Sequence, residues 1–152
     1  MVKILAKNKK AYHNYFIEEK IEAGIVLTGT EVKSCREGKI SFKDSYCDFD
    51  NGELYIKGLY IAPYKHASPT FNHDPERDRK LLLHKNELRR LIGKIKEKGY
   101  TIIPLAFYLK GKVIKVEIAL ARGKKLYDKR ETERKRDLER MVRSELKKGL
   151  FK

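Results

Sequence analysis

The sequence predicts a mainly β fold with flanking helices: a small OB-like antiparallel β-barrel, followed by a basic, conditionally helical C-terminal tail. Two observations carry this reading. About six short β-prone runs, joined by hairpin-length turns and broken by two helical stretches at most, suit a closed or partly closed antiparallel barrel. A two-layer sandwich with a helix on one face fits the same pattern. The second observation is the charge. The 152 residues carry 36 Lys and Arg against 21 Asp and Glu, net +15, and residues 122–152 alone hold 13 basic and 6 acidic side chains, net +7. The chain therefore reads as a folded body, residues 1–121, and an appendage, residues 122–152.

Tyr15, Phe16 and Ile17 begin a β-prone run that resumes over residues 23–27, after a charged stretch, 18–22, whose one apolar residue is Ile21. Thr28-Gly29-Thr30 breaks it. Thr30 is placed to cap a short helix over 31–37, and Gly38 ends that helix by adopting the left-handed conformation. Residues 45–49 and 53–56 flank Asp50-Asn51-Gly52, and Asn-Gly between two β-prone runs predicts a hairpin. Residues 59–62, closed by Pro63, extend the sheet. The stretch 64–79, with Pro69 and Pro75, is a polar loop of a length that often serves function.

Residues 84–98 form the most pronounced helix of the body, because Leu88, Leu91, Ile92 and Ile95 recur at i, i+3, i+4 and i+7, and Gly99 stops it. Two last strands, 101–109 and 113–120, meet across Lys110-Gly111-Lys112. In the second, Ile114, Val116, Ile118 and Leu120 alternate with Lys115, Glu117 and Ala119, as in a strand with one buried face. Beyond Arg122, acidic residues precede basic ones at helical spacing, as in Asp137 and Arg140 or Glu139 and Arg143. Each such pair is worth only about 0.2–0.5 kcal/mol. Leu138, Met141, Val142 and Leu146 make a narrow stripe with no core to meet, so the tail is expected to be disordered or partly helical until it binds a partner.

Composition excludes several classes. Apolar residues at 41% are too many for a disordered chain, and 38% charged residues exceed the usual globular share of about 25%. No apolar run approaches the roughly 18 residues of a membrane span, and residues 1–7 lack a signal-peptide core, which predicts a cytoplasmic protein without a membrane partner. Cys35 and Cys47 have no CxxC or His spacing around them and read as reduced, buried thiols, so neither metal nor cofactor is expected. His73 beside Asp74 is the pair that most suggests hydrolytic or RNA-processing chemistry, but no HExxH, GxSxG or P-loop pattern accompanies it, and no enzyme is predicted.

A surplus of positive charge on such a chain points to an anionic polymer, most often nucleic acid. Nine Tyr and six Phe interleave with Lys, as in residues 9–15 and 57–60, a composition that lets bases stack while cations meet phosphates. Most of these aromatics belong to the strand cores; Tyr12, Tyr64 and Tyr127, at element ends or in loops, are the better exposed candidates. A general binder of single strands fits the charge and the aromatics equally well.

Separated blocks then resemble one family. They are Asn8-Lys9-Lys10-Ala11-Tyr12-His13, Tyr15-Phe16-Ile17-Glu18-Glu19, Glu22-Ala23-Gly24-Ile25, Gly29-Thr30-Glu31-Val32-Lys33-Ser34 and Asp44-Ser45-Tyr46. Phe71-Asn72-His73-Asp74-Pro75, Arg79-Lys80-Leu81-Leu82-Leu83 and Gly123-Lys124-Lys125-Leu126-Tyr127-Asp128-Lys129-Arg130 follow in the same order. Over residues 8–130 the chain resembles the bacterial SsrA-binding protein (SmpB) family.

The resemblance implies an OB-like barrel that binds the tRNA-like domain of transfer-messenger RNA (tmRNA) and enters stalled ribosomes with elongation factor Tu. There translation is redirected onto a tagging frame, which is trans-translation, and the ribosome is the catalyst. By motif it places Asn8, Lys9, His13, Glu22, Lys80 and Leu82 on the RNA-binding face. It places Lys124, Lys125, Tyr127, Asp128, Lys129 and Arg130 in a tail that contacts ribosomal RNA near the decoding centre. Glu22 can accept from RNA hydroxyls or base amino groups, or orient a cation; Leu82 can pack under an unstacked base. A barrel-edge ion pair and a core leucine are the structural alternatives for these two. The chain departs from the family pattern at Cys35, where leucine is usual, and beyond Lys135.

Overall fold

In the computed structural model, which describes residues 2–97 and 99–124, the elements run β1 (Val2–Lys7), α1 (Lys9–Asn14), β2 (Tyr15–Ile25), α2 (Gly29–Arg36), β3 (Ile40–Ser41) and β4 (Tyr46–Asp50). They continue as β5 (Glu53–Lys57), β6 (Tyr60–Ile61), β7 (Arg79–Leu82), α3 (Lys85–Ile95), β8 (Tyr100–Lys110) and β9 (Val113–Gly123). Seven strands pair in the order β1-β8-β4-β5-β7-β2-β9, and β9 also pairs with β8, so six of them form a ring with β1 laid along β8. Closure is thin on one side. Strand β4 meets β8 through Cys47 and Ile102 alone, and β7 pairs with β5 and with β2 over two residues each. The result is the partly closed antiparallel barrel expected from the strand pattern, not a sandwich.

The described residues hold nine strands and three α-helices, more than the pattern predicts. Strand β1 and helix α1 lie in a Lys-rich stretch whose apolar residues do not alternate with burial, since Val2 and Ile4 are exposed and Ala11 alone is buried in the helix. Residues 59–62 do not extend the main sheet; β6 pairs with β3 in a separate two-stranded ribbon. Helix α3 is shorter than 84–98, with His84 at its N-cap, and Leu91 is its buried residue, flanked by Leu88 and Ile95 packed on the core. The predicted hairpin forms with Asn51 and Gly52 both at positive φ, 51° and 79°, as a two-residue type I′ turn requires.

The charged stretch 18–22 does not interrupt β2. Between Ile17 and Glu19 the register with β9 shifts, leaving Glu18 as the extra residue of a β-bulge. One inserted residue turns the strand over. Ile17 therefore packs on a small cluster of Ala11, Ile103, Leu105, Ala119 and Ala121, whereas Ile21 and Ala23 face the main core inside the barrel. Strand β8 repeats the device. Its register with β9 shifts between Pro104 and Ala106, so Ile102 faces the main core, Ile103 and Leu105 the small cluster, and Phe107 the main core again. Residues 102–107 are consequently all buried. The irregularity also accommodates Pro104, which has no N–H to give to a ladder.

Thr28, not Thr30, caps α2. Its hydroxyl accepts from the Glu31 amide while the Glu31 carboxylate accepts from the Thr28 amide, a reciprocal capping box that starts the helix at Gly29. Gly38 ends it at φ 74°, as expected. The same carboxylate, fully buried, takes a proton donor from each of two arginines: Arg77 reaches Oε1 and Arg79 reaches Oε2. Arg79 is itself fully buried and donates to the carbonyls of Leu59 (2.8 Å) and Pro75 (3.0 Å), so every edge of its guanidinium is engaged. This network ties α2 and the end of the 64–79 loop to β7.

Candidate nucleic-acid interface

The face that gathers the predicted RNA-binding residues is built on β2, with α1 at one end and β7 at the other. In α1, Ala11 faces the small cluster, which leaves Lys9, Lys10, Tyr12 and His13 exposed. Lys9 and His13, four apart, share one side of the helix. Asn8 does not join them. It is only 9% exposed, its backbone N–H donates to the Leu105 carbonyl (2.7 Å) and its side-chain amide donates to the Pro104 carbonyl (2.8 Å). Those carbonyls lie at the β8 bulge, where the ladder is broken, so Asn8 satisfies them and fixes the start of α1.

Past α1 the exposed side of β2 continues. The Lys20 ammonium lies 5.3 Å from the Tyr12 ring centre, a cation–π contact that joins strand to helix. Lys124, the last described residue, donates to the Tyr12 carbonyl (3.1 Å) and lies 5.2 Å from the ring centre of the exposed Phe16. The other predicted tail residues, Lys125, Tyr127, Asp128, Lys129 and Arg130, fall outside the described residues.

Two residues beyond Lys20, and so on the same side of the strand, Glu22 is exposed. Its carboxylate accepts from the Tyr108 hydroxyl (2.5 Å) and from the Lys110 ammonium (3.4 Å). The Tyr108 hydrogen bond is the chief reason its pKa lies below the ordinary carboxylate value; desolvation opposes it, and the Lys110 hydrogen bond with the Lys110 and Lys115 charges keeps the net shift downward. Glu22 is thus ionised at neutral pH and held in one orientation. Burial, then Glu22 itself, pushes the Tyr108 phenol up, so it stays a donor.

Glu22 and Leu82 line one groove of about 320 Å³, together with Gly24, Leu83, His84, Glu87 and Lys115. Leu82 is 51% exposed, which disposes of the core-leucine alternative. It stands opposite Gly24 in register, and a Cβ on Gly24 would come within 3.1 Å of the Leu82 Cβ. Lys80, on the same side of β7 as Leu82, lies outside this groove and is 3.5 Å from the Glu53 carboxylate. The structure therefore unites Glu22 with Leu82, sets Lys9 and His13 at the far end of the same strand, and turns Asn8 inward.

Lys20, Tyr108, Lys110, Lys115 and His84 complete the surface and were not singled out from sequence. The signal was present for three of them: Tyr108, Lys110 and Lys115 alternate with the buried or core-packed residues Phe107, Leu109, Ile114 and Val116, which predicts one shared outer side. His73 has a different task. Its Nε2 donates to the Ile61 carbonyl (2.9 Å) and its Nδ1 accepts from the Thr30 hydroxyl (2.8 Å), while the Asp74 carboxylate accepts from the Glu76 amide (3.0 Å). Both side chains brace the loop. Among the described residues no group of His, Cys, Asp and Glu stands where it can hold a metal ion, and no helix is long and apolar enough to cross a membrane. Both cysteines are buried as thiols, and burial, followed by the Glu31 charge, pushes Cys35 up to about 12.

Comparison with known proteins bears on what this surface meets. A family model described as SmpB protein matches residues 5–148. The SsrA-binding protein of Caldicellulosiruptor bescii is 56% identical over 149 residues, spanning 98% of this chain and 94% of the relative. That of Halothermothrix orenii is 52% identical over 146 residues, 96% and 94% of the two chains. A solved structure described as "tmRNA-SmpB: a journey to the center of the bacterial ribosome" is similar with a TM-score of 0.66 and 55% identity, covering 78% of this chain and 82% of that one.

Proposed function

The chain belongs to the SmpB protein family, and from that premise we propose how its surfaces divide the work of an RNA-binding factor in ribosome rescue. It binds tmRNA and acts in trans-translation on the ribosome. The body, residues 1–121, with β9 carrying its sheet on to Gly123, holds the tRNA-like domain of that RNA. The tail, residues 122–152, follows ribosomal RNA towards the decoding centre, as a cationic segment that orders on its partner. Elongation factor Tu accompanies the complex during delivery, which takes place in the cytoplasm. The protein binds and positions; peptide-bond chemistry stays with the ribosome.

The observation that carries the division is the outer face of β2, where Lys20 and Glu22 stand side by side, with Lys9 and His13 on α1 before them and Leu82 on β7 beside Glu22. Lysines meet phosphates without reading sequence. The ionised, fixed carboxylate of Glu22 accepts from a ribose hydroxyl or a base amino group, and exposed Leu82 offers an apolar surface to an unstacked base. RNA recovered with the full chain from cells tests the reading: one abundant RNA with a tRNA-like end is expected. Recovery of a mixture of unrelated single strands identifies a general binder instead, and cleaved RNA identifies an enzyme.

A further inference from the structure

Ser45 poses a separate question. It is 6% exposed, its amide donates to the Phe42 carbonyl (2.8 Å), and its buried hydroxyl has no hydrogen-bond partner. A buried, unpaired hydroxyl carries a desolvation cost that folding alone does not explain. The residue lines a cavity of about 50 Å³ between α1 and the 43–45 turn, shared with Asn8, Lys10, Asn14 and Asp44. Lys43, in the same turn, has a φ of 47°, an unusual conformation for a residue other than glycine. Its ammonium is committed elsewhere, to Glu76 at 2.8 Å and over the Tyr60 ring at 4.8 Å, so Lys10, exposed on α1, is the cation of the site.

Size and chemistry narrow the occupant. An oxygen-sized atom needs about 10–15 Å³ by this measure, so the cavity admits about three to five of them, too few for a nucleobase. The Asp44 carboxylate accepts and repels anions, which argues against a bare phosphate. Ser45 and Asn14 each donate and accept. A hydroxyl that donates to Asp44 and exchanges a hydrogen bond with Ser45, with a phosphate beside it for Lys10, meets all of these. Building on the RNA-binding reading, we propose that the cavity between α1 and the 43–45 turn takes one ribose–phosphate unit of the bound RNA through its 2′-hydroxyl. The site lies on the flank of the helix that carries Lys9 and His13, and it makes the protein selective for RNA over DNA at that nucleotide.

Nucleotide-analogue interference on the full chain tests this. Transcripts of the tmRNA tRNA-like domain carrying sparse 2′-deoxy substitutions are partitioned into bound and free pools. The unmodified protein is expected to disfavour a deoxy nucleotide at one position beyond those read by the β2 face, by about threefold to tenfold. Ser45→Ala and, independently, the exposed Asp44→Asn should erase that one interference and leave the rest of the map unchanged. Ser45→Ala should also unfold at the same or higher denaturant, because the hydroxyl it removes has no partner in the free protein. Variants that keep the full map overturn the inference while the RNA-binding reading stands. A loss of stability in Ser45→Ala with an unchanged map identifies a structural water and overturns it too. If the unmodified protein fails to bind the transcript, both fall.

Discussion

Arg79 Nε donates to Glu31 Oε2 at 2.5 Å across 48 residues of sequence, with both side chains fully buried. The Glu31 carboxylate thereby closes the N-terminus of α2 and anchors β7, the strand that presents Leu82. Removing one member of a buried pair strands the other charge, so Glu31→Ala is expected to cost about 3–5 kcal/mol in urea unfolding. Burial alone would raise the Glu31 pKa, but hydrogen bonds from Arg77, the Thr28 amide and Arg79 outweigh it and the net shift is downward. Its folded pKa lies below the unfolded one, about 4.3, so the contribution is present at neutral pH and is lost as pH falls through the folded pKa. Glu31→Gln should flatten that acid limb in a series of unfolding curves.

Gly24→Ala probes the groove without touching a charge. The new Cβ would press on Leu82 Cβ at 3.1 Å, and Leu82, half exposed, can move by the few tenths of an ångström required. Circular dichroism should report an intact fold, while affinity for the tRNA-like transcript falls by about threefold to tenfold. Leu82→Ala and the double variant should be non-additive, since both act on one side chain.

The salt dependence of RNA affinity measures how many phosphates the body neutralises. Four to six contacts give a log–log slope of about −3 to −4, at roughly −0.7 per contact outside B-DNA. Lys9→Gln should make the slope shallower by about 0.7, whereas Leu82→Ala should weaken binding with the slope unchanged. A flat dependence in the unmodified protein would separate the +15 charge from RNA binding.

Deleting residues 128–152 separates the two halves of the proposed function. A gel-shift titration is expected to give the affinity of the full chain for the tRNA-like transcript, and a tagging assay on stalled ribosomes is expected to give no tagged product. Normal tagging by the truncated chain would remove the tail from the mechanism.

The hairpin at Asn51-Gly52, the stripe of α3 and the last two strands were legible because each is a local pattern with a turn signal beside it. What was illegible depended on partners remote in sequence. Arg79 reads as one more cation until Glu31 and three carbonyls surround it. Asn8 reads as a polar contact residue, yet its amide is spent on the Pro104 carbonyl, 96 residues away. Thr30 reads as the cap of α2 until the Glu31 carboxylate selects the residue three before it, Thr28. For the candidate site, the motif resemblance proposes Glu22 and Leu82, which the fold brings to one groove, and the structure adds Tyr108 and Lys110, which hold Glu22 ionised and oriented.

The bulge at Leu105 gives β8 a counting rule as well as a shape. Leu105 is the extra backbone unit that lets Ile102 and Phe107, five apart, face the same side, so deleting it would leave a regular ladder with Phe107 still inward and Tyr108 still outward, but would strip the small cluster of Leu105 and Asn8 of the carbonyl that its N–H meets. The start of α1, the helix that carries Lys9 and His13, would lose an anchor although no exposed residue had been altered. The extra unit in β8 thus serves the helix laid against the barrel more than the barrel wall itself.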